Sequence, residues 1–453
     1  MIALPTRFQP VRAAALADRV LIIDEAHSFD AYTTELMCAL LRFQAMLGGS
    51  AIVLSATLTG ETKAKLLEAF AEGRGQQGER PQSQAFPLAT FWDGAFDETP
   101  LASVRGTRRD LPVAQLASAE AAAQQVLDAA AAGGCAVWIR NTVQDAIEAA
   151  EMTRALAPPE VVVDLFHARY TIGDRAMIER AALARFGRNS TPAERRGRVL
   201  IATQVVEQSL DVDFDIMVSD LAPLDLLIQR AGRLHRHDRP DRGAPVLNIL
   251  APDPSVVENG GWYARLFPRG AFVYGAHGRL HLGLEKLLAE GLNLLSGDPR
   301  ALLETVLGAD AAPHERLQKR EDAAWAKRHA ERNVAAQKLL RPFQGYVLDN
   351  HFEDDDRAKT RLSDETRTLR LARWDGVRLA PWHAADAPDD EARAWRLSEV
   401  SVKRFRAAER PELEDRALAR AIAATEASWG KRAADVMLVA LHGQGHSWTG
   451  TTA

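Results

Sequence analysis

Four short strings in this sequence carry residue types that could act on a triphosphate. The first is Val20-Leu21-Ile22-Ile23-Asp24-Glu25-Ala26-His27, an apolar run that delivers two adjacent carboxylates and a histidine. In a nucleotidase the first carboxylate can hold Mg2+ through water, and the second can orient the attacking water. The histidine can couple such a site to its surroundings, because both ring nitrogens hydrogen-bond. Taken alone, the string is equally well explained as a strand followed by an acidic helix cap. The second string, Ile52-Val53-Leu54-Ser55-Ala56-Thr57, ends in two hydroxyls that could bridge the histidine and carboxylates to moving elements. Its plainer reading is a hydroxyl turn that opens the next helix. The two strings together favour the coupled site.

The third string runs from Ala202-Thr203-Gln204 through Leu210-Asp211-Val212-Asp213-Phe214-Asp215, a polar loop after a strand. Thr203 could touch a sugar-phosphate backbone while Asp211 faces a nucleotide, although an acidic loop of metal-binding type stays open. The fourth is Asp225-Leu226-Leu227-Ile228-Gln229-Arg230-Ala231-Gly232-Arg233-Leu234-His235-Arg236. On a helix, Gln229, Arg233 and Arg236 share one face. That face presents an amide and two guanidiniums, groups suited to charge developing on a transferring γ-phosphate. Gly232 weakens such a helix, which suggests close approach to a neighbour.

Strands must deliver these strings. Short β-branched runs at Val20–Ile23, Ala51–Leu54, Ala136–Ile139, Val161–Leu165 and Val199–Ala202 alternate with helical patterns such as Tyr32–Leu47 and Ala119–Ala131. That alternation predicts an α/β protein with parallel sheet covered on both faces, and function at the carboxyl ends of its strands. Residues 1–95 read as an incomplete α/β domain and residues 105–250 as a complete one. Residues 251–345 read as a helical linker or accessory region, with a dense charge run at Arg316–Arg332. Residues 346–453 read as a small C-terminal α+β domain, with a helix at Glu412–Trp429 and an apolar run at Val436–Leu441. Trp374, Trp382 and Trp395 could stack on bases, but core packing is the favoured reading.

Composition excludes several classes. With 453 residues, 47% hydrophobic and 26% charged, the chain is of ordinary globular type. A formal net charge of −5 rules out a wholly basic nucleic-acid binder, so any such contact needs a local groove. The arginine runs Arg185–Arg198 and Arg230–Arg242 read as solvated loops. Two distant cysteines, Cys38 and Cys135, offer neither a disulfide framework nor a zinc set. No apolar run reaches membrane length, and a cytoplasmic protein is the plain reading.

The strings DEAH, SAT, the Thr203-to-Asp211 loop and QRAGRLHR, in this order, resemble motifs II, III, V and VI of superfamily 2 helicases. The longer stretches DEAHSFDAYTTELMCALLRFQAMLGGSAIVLSATL, DLFHARYTIGDR and ATQVVEQSLDVDFD resemble the CRISPR-associated helicase-nuclease of type I systems, most like subtype I-E. The resemblance spans Leu4 to His237, with a weaker echo from Trp395 to Val402. It implies tandem RecA-like domains, the first truncated, that consume ATP with Mg2+ and move 3′ to 5′ on single-stranded DNA as partners of the Cascade complex. Asp24 and Glu25 would serve Mg2+ and water, and His27 would couple to Ser55 and Thr57. Gln229, Arg233 and Arg236 would close on the triphosphate. Asp211 and Arg230 would serve nucleotide binding, and Asn141, Thr142 and Thr203 would meet DNA.

The resemblance is incomplete. No GxxxxGK[ST] phosphate loop occurs, and Gly430-Lys431 is followed by Arg432. Only 23 residues precede Asp24, too few for the strand, loop and helix that would carry it. The His-Asp ligands of the family's nuclease are also missing, and His237-Asp238 is a lone dipeptide. The expectation is therefore a fragment of a longer gene or, less favoured, one half of a motor completed by a separate chain. A non-catalytic DNA- or Cascade-binding fragment and a DEAH RNA helicase are the competing readings.

Overall fold

A computed structural model describes residues 3–4, 9–26, 30–77, 81, 83, 85–102, 110–207, 210–240, 242–293, 299–308, 310–339, 366–407, 410, 413–430 and 436–442. Contacts group the chain into two units, residues 1–164 with 195–360, and residues 165–194 with 361–453.

The first unit opens on two parallel strands, β1 (Val20–Ile23) and β2 (Ser50–Val53), in register from Val20 with Ser50 to Ile23 with Val53. Helix Ala31–Met46 starts where the Asp30 carboxylate accepts the Thr33 amide, and helix Gly60–Gly73 where Thr59 accepts that of Thr62. Ile23, Ala26, Cys38, Leu41, Leu66 and Ala69 form the core between these strands and helices. Side chains alternate along a strand, and the opposite face of the pair is open. Val20, Ile22, Ile52 and Leu54 are 57%, 63%, 47% and 48% exposed. Among the described residues β2 pairs on one edge only. Beside it lies a cavity of about 740 Å³ lined by Ala51, Val53, Leu66, Phe70 and Trp92. An antiparallel hairpin, β3 (Leu88–Trp92) with β4 (Phe96–Pro100), borders it, and the Lys63–Glu98 ion pair at 2.8 Å fastens that hairpin to helix Gly60–Gly73.

A short pair follows, β5 (Asp110–Leu111) with β12 (Leu292–Asn293). The main sheet uses β6 (Val113–Leu116), β7 (Cys135–Ile139), β8 (Val162–Phe166), β9 (Arg198–Ala202), β10 (Ile216–Asp220) and β11 (Leu247–Leu250), in the order β6-β11-β10-β7-β9-β8. The β6/β11, β11/β10, β10/β7 and β7/β9 pairs are parallel. Every residue of β7 is buried, as a central strand covered on both faces requires. Cys38 and Cys135 are free and buried. Helices His277–Glu290, Pro299–Leu307 and Gln318–Lys338 occupy the region read as helical. No helix among the described residues is long and apolar enough to cross a membrane.

In the second unit β13 (Thr366–Trp374) pairs antiparallel with β14 (Leu379–Pro381) and β15 (Glu399–Lys403), and parallel with β16 (Val436–His442). Trp374 and Trp395 lie in its core with Leu418, Ile422 and Leu438, in line with the core reading of these two. Its last helix starts at Arg416 rather than Glu412, because the Asp415 carboxylate accepts the amides of Ala417 and Leu418. Helix Ile172–Phe186 belongs to this unit. Thr171 Oγ1 caps it and lies 2.8 Å from Nε2 of His383, whose Nδ1 is 2.6 Å from Asp386. The His383 ring occupies the space a Cβ on Gly173 would need, 2.6 Å from where that atom would stand.

Candidate nucleotide site

The β1 strand ends in Asp24 and Glu25, both exposed. An Asp24 oxygen accepts the Glu25 amide at 2.9 Å, and Glu25 adopts a left-handed φ of 54°. A bulky non-glycine residue held there stores local strain of a kind that gathers at functional sites. Leu54 donates to the Ile23 carbonyl at 2.8 Å and Ala26 to the Leu54 carbonyl at 3.0 Å, so the carboxylate turn is stitched to the strand leading to Ser55 and Thr57. Thr57 is buried, and its hydroxyl has no partner among the described residues. His27 lies outside the described residues.

The loop after β9 starts at Thr203, which is fully buried, its hydroxyl without a partner among the described residues. That placement gives the side chain no open face toward a DNA backbone. A short 3-10 turn, Gln204–Val206, leads to Glu207, which takes the fully buried Arg230 in an ion pair at 2.6 Å. Arg230 also donates to Ser219 Oγ at 2.9 Å and the Asp220 carbonyl at 3.1 Å. In this conformation Arg230 ties the loop to β10.

The helix expected through Arg236 ends early. It spans Leu224–Ala231 with Gly232 as C-cap, so Gln229, Arg233 and Arg236 do not share one helical face. Arg233 and Arg236 stand in the following turn, which a Phe214–Leu234 bridge pins to the acidic loop. Phe214 donates to the Arg233 carbonyl and His235 to the Phe214 carbonyl, each at 3.0 Å. Arg233 grips the carbonyls of Val206 and Glu207 at 3.2 and 2.7 Å. Burial and the neighbouring Arg236 lower its pKa, against the opposing pull of Asp211, Glu25 and Glu207. Glu25, from the first string, is thus among the charges that act on Arg233, from the fourth. Gln229 keeps a buried amide nitrogen without a partner among the described residues.

Arg236 bonds Asp211 Oδ1 at 2.6 Å with both side chains partly exposed. Burial works against the Asp211 charge, but Arg236, His237 and Arg233 outweigh it and hold the carboxyl below its usual range. Asp213 and Asp215, deeper in the loop, collect Arg195, Arg239 and Arg242. The two arginine runs are in these members an internal ion network, which corrects their reading as solvated loops.

Asn141 is also buried. Its amide donates to the Leu221 carbonyl at 2.8 Å and Tyr263 Oη at 3.0 Å, and its backbone N–H to Asp220 at 3.1 Å. Thr142 caps helix Val143–Leu156 and donates to Asp145 at 2.6 Å. Both side chains serve the scaffold in this conformation rather than an open DNA surface. The sequence reading passed over Asp220, which also accepts from Trp138 at 3.2 Å and Arg140 at 2.9 Å. Its signal was a carboxylate at the end of an apolar strand, the same signal as Asp24.

Among the described residues no group of three or more His, Cys, Asp or Glu side chains is placed to hold a metal ion. Asp24 and Glu25 still suit Mg2+, which keeps most of its waters and needs one or two carboxylates.

Residues 132–239 match the family described as CRISPR-associated nuclease/helicase Cas3, C-terminal. The chain is similar to the C-terminal part of Cas3. The Cas3 endonuclease/helicase of Escherichia coli K12 is 38% identical over 264 residues, which are 55% of this chain and 29% of that protein. The crystal structure of T. fusca Cas3 with AMPPNP superposes with a TM-score of 0.79 at 23% identity, covering 98% of this chain and 53% of the other. A chain of a CRISPR RNA-guided surveillance complex, pre-nicking, superposes with a TM-score of 0.72 at 23% identity, covering 98% and 56%. The chain spans about half the length of these solved chains and shares their α/β fold with a parallel sheet, in the manner of tandem RecA-like domains of which the first is partial.

Proposed function

We propose that this chain supplies the second half of an ATP-driven DNA translocase in type I CRISPR interference. The observation that carries this reading is the turn where Arg233 is anchored on the carbonyls of Val206 and Glu207 and Arg236 holds Asp211 at 2.6 Å. Asp24 would hold Mg2+ through water, Glu25 would orient the attacking water, and Arg233 and Arg236 would neutralise the γ-phosphate. The orphan hydroxyl of Thr57 suits a coupling role with Ser55 and His27. Translocation would run 3′ to 5′ on single-stranded DNA, with the Cascade complex as the delivering partner. The nucleotide-bound and surveillance-complex relatives support ATP and Cascade in these roles, and family resemblance supports the strand and direction.

The phosphate cradle has no counterpart in these residues. The open β2 edge and the cavity beside it suit an added parallel strand that would bring a phosphate loop next to Ser55 and Thr57. The same edge favours a second reading, a fragment that binds DNA or Cascade without turnover. Hydrolysis of ATP with single-stranded DNA separates them. The motor reading expects turnover once a segment bearing the phosphate loop is supplied, and loss of it in Asp24→Ala/Glu25→Ala. No turnover in that complemented mixture would favour the binding fragment.

A further inference from the structure

The motor reading leaves helix Pro299–Leu307 unused, yet this helix joins the element after the second string to the helix that carries the fourth. Glu304, near its middle, reaches across 244 positions of sequence, and its Oε1 accepts the Gly60 amide at 2.5 Å. Gly60 is the first residue of helix Gly60–Gly73, three positions after Thr57. The opening amides of a helix have no partner within it, and a carboxylate there also meets the positive end of the helix dipole. The approach is close enough to favour a glycine. A Cβ on Gly60 would stand 3.2 Å from that Glu304 oxygen and 3.6 Å from Nη2 of Arg300, one turn earlier on the helix of Glu304. Arg300 and Leu303 also line the cavity that has Ser55, Ala56 and Thr57 on its wall.

The same helix is fixed to the arginine-bearing half. Arg279 donates to the carbonyls of Leu307 and Gly308, which satisfies the helix C-terminus. Leu303 and Val306 are buried. Val306 Cγ1 and Leu224 Cβ lie 3.5 and 3.9 Å from where a Cβ on Gly283 would stand, so three helices meet there. Leu224 opens helix Leu224–Ala231, whose C-cap, Gly232, leads straight into Arg233. Helix Gly60–Gly73 already has a cap from its own sequence, since Thr59 accepts the Thr62 amide. A second cap, borne by a helix packed beside Leu224, is what a purely local role leaves unexplained.

We propose that Glu304 is a positioning residue, and that helix Pro299–Leu307 is a strut setting the turn of residues 55–57 against the turn of Arg233. Its part in turnover rests on the motor reading. Glu304 acts through Gly60 rather than on the nucleotide, while Val306 packs beside the helix that precedes Arg233.

Hydrogen exchange of the full chain tests the strut with no need for turnover. Glu304→Ala should speed exchange about fivefold in residues 60–66, the scale of a lost cap, and should speed it across helix Leu224–Ala231 as well. Thr59→Ala removes the local cap instead, so its change should stay within helix Gly60–Gly73. Glu304→Gln keeps an acceptor oxygen and should restore exchange at both places. In the motor completed by a segment bearing the phosphate loop, Glu304→Ala should lower kcat about tenfold with KM for ATP unchanged, as misplacement remote from the chemistry does. Glu304→Gln should recover that loss. Exchange in Glu304→Ala that rises only within helix Gly60–Gly73, or a kcat equal to the parent's, would overturn the proposal. Absence of turnover in the parent mixture would sink the motor reading by itself, and the exchange pattern would still decide the strut.

Discussion

Arg233 and Arg236 share a turn but are held differently. Arg233 is anchored by two backbone carbonyls, whereas Arg236 holds a partly exposed carboxylate, Asp211, that a phosphate can replace. Arg233→Ala should lower DNA-stimulated ATP turnover by about a thousandfold in the complemented motor, the scale of a lost arginine finger. Asp211→Asn should cost far less, because it frees Arg236 rather than removing it; steady-state turnover compares the two. Arg230 belongs to stability instead. Glu207→Ala would strand a fully buried guanidinium and should cost about 3–5 kcal/mol in urea unfolding, with Glu207→Gln milder. A Glu207→Ala chain as stable as the parent would refute the assignment of this pair to the scaffold.

At the level of elements, the strands that end in chemistry were legible because apolar runs stop abruptly at polar residues. Helix Ala119–Ala131 lies where alanine content placed it, and the runs behind Asp24, Ser55 and Thr203 are strands. Strands β6, β10 and β11 were missed, as was the β3–β4 hairpin: Gln115, Ser219 and Asn248 interrupt the sheet's apolar pattern, and their pairing is set by distant partners. Helical spacing placed Arg233 and Arg236 on a helix that Gly232 in fact closes, since periodicity carries no information about the bridge between Phe214 and Leu234. Burial was equally hidden: the sequence does not show that Thr203, Asn141 and Arg230 are enclosed in this conformation. One consequence at this scale is a dependence on pH. His167, at the end of β8, is kept neutral when folded, while an unfolded imidazole takes up a proton below about pH 6.5. The unfolded state then binds more protons, so stability falls as pH drops from about 6.5 toward 4, by about 2 kcal/mol at pH 5. Denaturant unfolding at pH 7 and pH 5 should show that loss, and His167→Gln should remove most of it. A second consequence concerns the packing of His383 on helix Ile172–Phe186. Gly173→Ala should destabilise this unit by about 1–3 kcal/mol, because the new methyl must displace a buried ring. Hydrogen exchange along that helix would report it, and unchanged protection would contradict the packing.

For the whole molecule, the informative surface is the apolar face of β1 and β2. Exposed Val20, Ile22, Ile52 and Leu54 are residues a parallel sheet normally covers, and they stand next to an edge that is unpaired among the described residues. Ile22→Lys should leave unfolding of the chain nearly unchanged, within about 0.5 kcal/mol, while blocking complementation by a segment that carries the phosphate-binding loop. If Ile22→Lys complements normally, that face has no such role. The decisive measurement is ATP hydrolysis with single-stranded DNA, for the chain alone and with a segment carrying the phosphate-binding loop. Turnover should arise only in the mixture, and should disappear with Asp24→Ala/Glu25→Ala and with Arg233→Ala. Turnover by the chain alone that those carboxylate substitutions abolish would show that another of its segments cradles the phosphates. Turnover in the mixture indifferent to Arg233 would contradict the site itself.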